Sequence, residues 1–167
     1  MALRQSARMT NTHRAAGPPP VAIDAGRLWA GGLATAVVAA LAAAVGVLIA
    51  TGLFDVEVLT PPGFTGSDVA NYAIAAGIAA LFATALIHLL IVAAPRPFAY
   101  FRWIIGLLIV AATLVPFASS ATLATKLASA TINLVVGIAI ASLTTGTATR
   151  VTVGRSRPTA EGDPQPR

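Results

Sequence analysis

Four side chains could do chemistry in the apolar stretches of this chain: Thr84, His88, Thr113 and Asn133. An imidazole can carry a proton near neutral pH or ligate a metal. Hydroxyl and amide groups can line a path for a polar solute. Both chemistries need company. A zinc site takes several ligands, yet the other histidine, His13, lies in a polar N-terminal stretch and the chain has no cysteine. Asp55, Glu57 and Asp68 could attract a cation, but three carboxylates scattered along a loop make a poor cage for one. The sequence has no phosphate-binding glycine loop, no nucleophile motif and no carboxylate pair inside an apolar run. The expectation is therefore no catalysis, no cofactor and no metal.

The elements that must position these residues follow from composition. Of 167 residues, 56% are hydrophobic and only 10% charged, far from the quarter or so charged in a soluble domain. The chain reads as a membrane protein. Its charges fall in two tails and two polar loops plus Lys126, and four uncharged stretches lie between them. These predict an all-α fold, a four-transmembrane-helix up-and-down bundle over residues 28–149. The helices are expected at about 28–53, 69–94, 103–118 and 127–149. The first stretch has 26 residues, about 39 Å as a helix against a hydrocarbon core of about 30 Å. It is too long for the apolar part of a secretory signal, so it is expected to remain as an anchor. Ser67 or Asp68 can cap the second helix, and Pro95 ends it for want of an N–H. Residues 1–27, with four arginines and a triple proline, and residues 150–167 are expected to be disordered tails.

Arginine sets the expected orientation. Alternating sides along the chain place ten arginines on one side (Arg4, Arg8, Arg14, Arg27, Arg96, Arg102, Arg150, Arg155, Arg157 and Arg167) and only Lys126 on the other. Cytoplasmic flanks collect Lys and Arg, so both termini should be cytoplasmic. Trp29, Tyr100, Phe101 and Trp103 fall on the same side, at the headgroup level such rings favour. The ten-to-one excess of arginine over lysine fits a GC-rich bacterial genome, and the expected location is a bacterial plasma membrane. Topology accounts for the arginines, so no nucleic-acid partner is expected.

Association in lipid depends on close backbone approach across small side chains. Gly31, Thr35, Ala39 and Ala43 recur every four residues in the first stretch, and Ser129, Asn133, Gly137, Ala141 and Thr145 in the fourth. The segments GIAALFAT (77–84) and GIAIASLT (137–144) are alike, a pattern a duplicated hairpin would leave. Ala70, Ile74, Gly77, Leu81, Thr84 and His88 share one helix face, expected to point inward. His88 lies about 9 Å inside the cytoplasmic end of its helix and Asn133 about 9 Å from the opposite end. With roughly 12 Å of depth between them, direct bonding is not expected. A neutral His88 is expected to bond a nearby hydroxyl or carbonyl as a packing group.

The glycine-containing first stretch, RWIIGLLIVAATLVPFA as the third and INLVVGIAI opening the fourth resemble a family of small actinobacterial four-helix integral membrane proteins of unknown function. The resemblance covers residues 28 to about 149. It implies a four-helix membrane fold and brings no established activity. The expected function is a non-catalytic integral membrane protein that binds a partner or lipid, or stabilises a membrane complex. Its expected partners are the bilayer and another membrane protein or further copies of itself. The alternative is a small transporter or channel subunit, with Thr84, His88, Thr113 and Asn133 lining a path. So few polar groups would require an oligomer for that task.

Reporter fusions test the orientation. Fusions after Arg27 and after Arg150 should be active only with a cytoplasmic reporter, and one at Gly63 only with an external reporter. A reversed result at Gly63 would break the four-span topology.

Overall fold

The computed structural model describes residues 25–61 and 66–153. Four helices follow in order: α1 (Ala25–Gly52), α2 (Asp68–Ala93), α3 (Pro97–Leu114), which runs on into a 3-10 turn (Val115–Ala118), and α4 (Leu123–Val153). Among the described residues there is no strand. All four helices are long and apolar enough to cross a membrane, and the chain is a multi-pass membrane protein. Large apolar side chains face outward, Leu41 at 61% exposed, Phe82 at 72% and Leu107 at 66%, a surface that suits lipid and would aggregate in water.

Local chemistry sets the helix ends. The Ser67 hydroxyl caps α2 by accepting a hydrogen bond from the Ala70 N–H at 3.4 Å. Ala94 turns extended (φ −114°, ψ 141°), as a residue before a proline must. Two boundaries differ from the sequence expectation. The third helix begins at Pro97 rather than near Trp103, because a proline at the first helical position has its φ preset and gives up only an N–H that would be unpaired there. Most of the stretch between the expected second and third helices is thus helix. The fourth helix begins at Leu123 rather than Leu127. Thr122 starts it, accepting the Thr125 N–H on its hydroxyl at 3.3 Å and the Lys126 N–H on its carbonyl at 3.0 Å. The helix therefore carries Lys126 in its first turn, since a cap decides where a helix starts and neutrality does not. Both terminal helices also reach into the expected tails, α1 from Ala25 and α4 through Arg150 to Val153. The rest of those tails, residues 1–24 and 154–167, lies outside the described residues.

Successive helices are antiparallel, and each packs on the next around a ring that α4 closes onto α1. Contact between α2 and α4 runs across the middle, while α1 and α3 occupy opposite corners. One end of the bundle holds Ala25, the α2–α3 turn and Val153; we call it the tail end. The other, the loop end, holds residues 53–67 and 115–122.

The α1–α2 seam is built from small residues. Ala36, Ala39 and Ala43 of α1 and Ala76, Ala80 and Ala83 of α2 are all buried. A Cβ placed on Gly32 would lie 2.5 Å from Thr84 Cγ2, and one on Gly77 would lie 3.7 Å from the Ala36 carbonyl oxygen. Such approach lets dispersion contacts and backbone dipoles act at short range where no hydrophobic force drives helices together. The two alike segments sit in corresponding places. Gly77 of α2 faces α1, Gly137 of α4 faces Ile109 of α3, and Thr84 and Thr144 at their ends are each 1% exposed.

On α2 the buried stripe runs through Tyr72, Ala76, Ala80, Ala83 and Ile87. The face expected from the spacing of His88 is its border, since Ile74 is 36% exposed. On α4 the stripe runs through Ser129, Ile132, Val136, Ile140, Thr144 and Ala148, one edge over from the small-residue stripe read in the sequence. Alanine-rich helices offer several small faces, and packing chooses among them.

The Gly32–Thr84 contact gives a stability test. Gly32→Ala should destabilise the bundle by roughly 1–3 kcal/mol through overpacking. Thr84→Ala should recover part of that loss, giving a non-additive double-mutant cycle. Gly106→Ala, with open space around its Cβ position, should be neutral or stabilising. Detergent-resistance or thermal-melting curves read all four; a strictly additive pair would contradict the contact.

Candidate functional site

The expected polar positions divide between two parts of the bundle. Thr84 and His88 lie one turn apart near the tail end of α2. The Thr84 hydroxyl donates to the Ala80 carbonyl of its own helix at 2.9 Å, so its polar atom is spent and its methyl fills the notch at Gly32. The His88 ring stacks obliquely on Trp29 of α1, with centroids 6.5 Å apart and planes at 53°. His88 Nδ1 is buried and has no hydrogen-bond partner among the described residues. The hydroxyl or carbonyl expected to meet it is not on that nitrogen, and the ring's aromatic neighbour is Trp29 in the second turn of α1. A second buried polar atom without a partner among the described residues is the Thr144 hydroxyl of α4. Nothing in a threonine-rich run had marked Thr144.

Thr113 and Asn133 belong to the α3–α4 contact nearer the loop end. The Thr113 hydroxyl donates to the Ile109 carbonyl of its own helix at 2.8 Å, a turn-on-turn bond that leaves little to offer a ligand. Asn133 instead reaches across: its Nδ2 donates to the Ala112 carbonyl of α3 at 2.8 Å. With the amide nitrogen committed to a carbonyl, Oδ1 is the atom left to accept. One turn on, a Cβ at Gly137 would lie 2.8 Å from Ile109 Cγ1, so the absence of a side chain there lets α3 approach. The observed start of α4 puts Asn133 about 15 Å into the helix, deeper than a start at Leu127 implies.

At the loop end, a junction of three elements escaped sequence reasoning. The Ser129 hydroxyl accepts the Leu59 N–H at 2.8 Å and shares a side-chain hydrogen bond with Tyr72. It is fully buried, so it ties the α1–α2 connection and α2 to α4. Val58 is buried beside it, and the Val56 N–H bonds back to the Ala50 carbonyl at 2.9 Å. The connection folds over the bundle after Asp55 takes a left-handed φ of 52°. In the sequence Ser129 was legible only as a small residue, because its partners are 57 and 70 positions away. Asp55, Glu57 and Asp68 do not converge: among the described residues no three His, Asp or Glu side chains are placed to hold a metal ion.

Between these features lies a cavity of about 650 Å³, walled by α2, α3 and α4. Ala76, Ala79 and Ala83 of α2, Ile105, Leu108 and Ile109 of α3, and Ile132, Val136 and Ile140 of α4 form the sides, with Ala43 of α1 behind them and Pro61 at the loop end. Tyr72 and Asn133 are the polar residues of the lining. The cavity exists because α3 stands off: Phe101 is the one residue of that helix that is buried. Facing rows of alanine on α2 leave space that bulky residues on α3 bridge without filling. Its volume is within the range of small-molecule sites, about 300–1,000 Å³. It is a lateral groove in an apolar wall, able to hold an uncharged chain or ring and to offer it a polar contact at Tyr72 and Asn133.

No curated protein and no solved structure matches the chain. A family model, described as a family of unknown function (DUF6069), matches residues 23–150. That stretch contains the α1–α2 seam, the His88–Trp29 pair, the Asn133 bond and the entire lining of the groove, so the chain belongs to the DUF6069 family, a family of unknown function.

Proposed function

We propose that this chain is a non-catalytic multi-pass protein of a bacterial plasma membrane that holds a hydrophobic ligand or partner in the groove between α2, α3 and α4. The observation that carries the reading is the groove itself, about 650 Å³ of space with apolar walls and a polar contact from Tyr72 and Asn133. Its residues lack the proximity of nucleophile, base and oxyanion donor that a reaction needs. The source and orientation rest on composition. The excess of arginine over lysine supports a GC-rich bacterial origin, and the described arginines Arg27, Arg96, Arg102 and Arg150 gather at the tail end while Lys126 is at the other. This supports both termini being cytoplasmic.

The transport alternative draws on Thr84, His88, Thr113 and Asn133 as one path. Thr84 and Thr113 spend their hydroxyls on their own helices, and Asn133 ties α4 to α3 while His88 faces α1. Relay of a proton or ion needs groups within hydrogen-bond reach of one another, and this arrangement favours binding over passage.

One preparation tests both readings. Protein purified from its own membrane and washed through detergent exchange should yield, on organic extraction, about one lipid or other hydrophobic molecule retained per chain. In sealed vesicles it should show no pH-dependent ion flux. His88→Gln should leave the extracted ligand unchanged and shift stability by roughly 1 kcal/mol, the scale of polar contacts between membrane helices. A flux that His88→Gln abolishes at unchanged abundance, with no ligand extracted, would replace the binding reading with transport.

A further inference from the structure

The groove has a length, a width and two ends of opposite charge, and these select an occupant. Along α2 its lining runs from Tyr72 to Leu86, about 21 Å of helix. Spread over that length, 650 Å³ of space for the centre of a water-sized sphere is a mean section of about 30 Å², or about 9 Å between the wall surfaces once the sphere's radius of about 1.4 Å is added on each side. A helix with its side chains is about 10–12 Å wide. A partner helix, or a helix from a second copy, would rest on the rim, whereas an extended alkyl chain sinks between the walls. The rim includes Phe82, 72% exposed, and Leu108, 55% exposed. The groove is therefore continuous with the apolar surface that lipid covers, and a chain can enter sideways without crossing a polar layer.

Charge then orients the occupant. The two helices that wall the mouth, α2 and α3, are joined at the tail end by a short turn that carries Arg96, with Arg102 in the opening turns of α3. Both are exposed. The described carboxylates, Asp55, Glu57 and Asp68, all lie at the loop end. An anionic headgroup is attracted at the first end and repelled at the second. We infer that the groove holds one acyl chain of an anionic phospholipid whose phosphate sits against Arg96 and Arg102. The inference rests on the binding reading of the groove and names its occupant. In the orientation that the arginines support, this lipid comes from the cytoplasmic leaflet.

The test counts lipids retained by the whole protein in native mass spectrometry. The protein is equilibrated with equal amounts of phosphatidylglycerol and phosphatidylcholine carrying the same acyl chains. Wild type should keep one phosphatidylglycerol in preference to phosphatidylcholine. Arg96→Gln with Arg102→Gln should cut that preference about tenfold or more, while a lipid of either kind still binds. Ala79→Trp, which fills the middle of the groove from an exposed wall position, should lose both lipids. Leu107→Trp, an equal bulk on the outward face of α3, should lose neither and controls for folding. Equal retention of the two lipids by wild type, or an undiminished preference in the double arginine variant, would overturn the headgroup assignment and leave the groove standing. Undiminished retention in Ala79→Trp would overturn the groove as a binding site, and the inference with it.

Discussion

The α1–α2 seam is the contact on which the other packing depends. In hydrocarbon every backbone N–H and C=O must be paired within its own helix, so helices form readily, but nothing resembling the hydrophobic effect then pulls them together. What remains is contact at short range, and only small side chains permit it. Six buried alanines, the Gly32–Thr84 notch and the Gly77 approach supply that contact between α1 and α2. The resulting pair is the platform on which α4 lies, with Gly31 meeting Thr147 and Gly46 meeting Ile132. Polar ties add specificity at the ends. Ser129 fixes the α1–α2 connection to α4 at the loop end, and Trp29 covers His88 at the tail end.

The groove follows from where such contact stops. Most of α3 is bulky, with Phe98, Phe101, Trp103, Ile104, Ile105, Leu107 and Leu108 in a short stretch, and its one glycine, Gly106, faces open space. It can come close to α4 only where α4 yields, at Gly137, and where Asn133 reaches over to Ala112. Along the rest of its length it bridges a row of alanines on α2. The tight half of the bundle and the open half are thus consequences of one distribution of side-chain size. Stability rests on the tight half, and the open half holds the groove on which the proposed function rests.

Much of this was legible in the sequence. Four uncharged stretches of sufficient length specified the helices, since each must pair its own backbone, and Ser67 and Pro95 mark the ends of α2 as capping chemistry requires. Errors arose where charge was used as a boundary: Pro97 and Thr122 start α3 and α4 inside segments that polarity had assigned to loops. The polar candidates were visible as exceptions to an apolar background, but their partners were not. Asn133 donates to a backbone carbonyl 21 residues away, and any residue could have supplied one. The groove was not legible at all. It has no residue signature, because alanine and isoleucine read the same on a packed face and on the wall of a space.

The central claim is that α1 and α2 meet in direct contact while α3 stands at the opposite corner from α1. The chain has no native cysteine, so disulfide trapping in membranes reads these distances without interference. Cysteines at Ala36 and Ala80, which lie in the seam between the Gly32 and Gly77 contacts, should oxidise to a disulfide at high yield, given its reach of about 4.4–6.8 Å between Cα atoms. Cysteines at Ala36 and Ile105 should remain reduced under the same oxidant. An Ala36–Ile105 cross-link formed in preference to Ala36–Ala80 would contradict the arrangement of the helices, and the groove that depends on it.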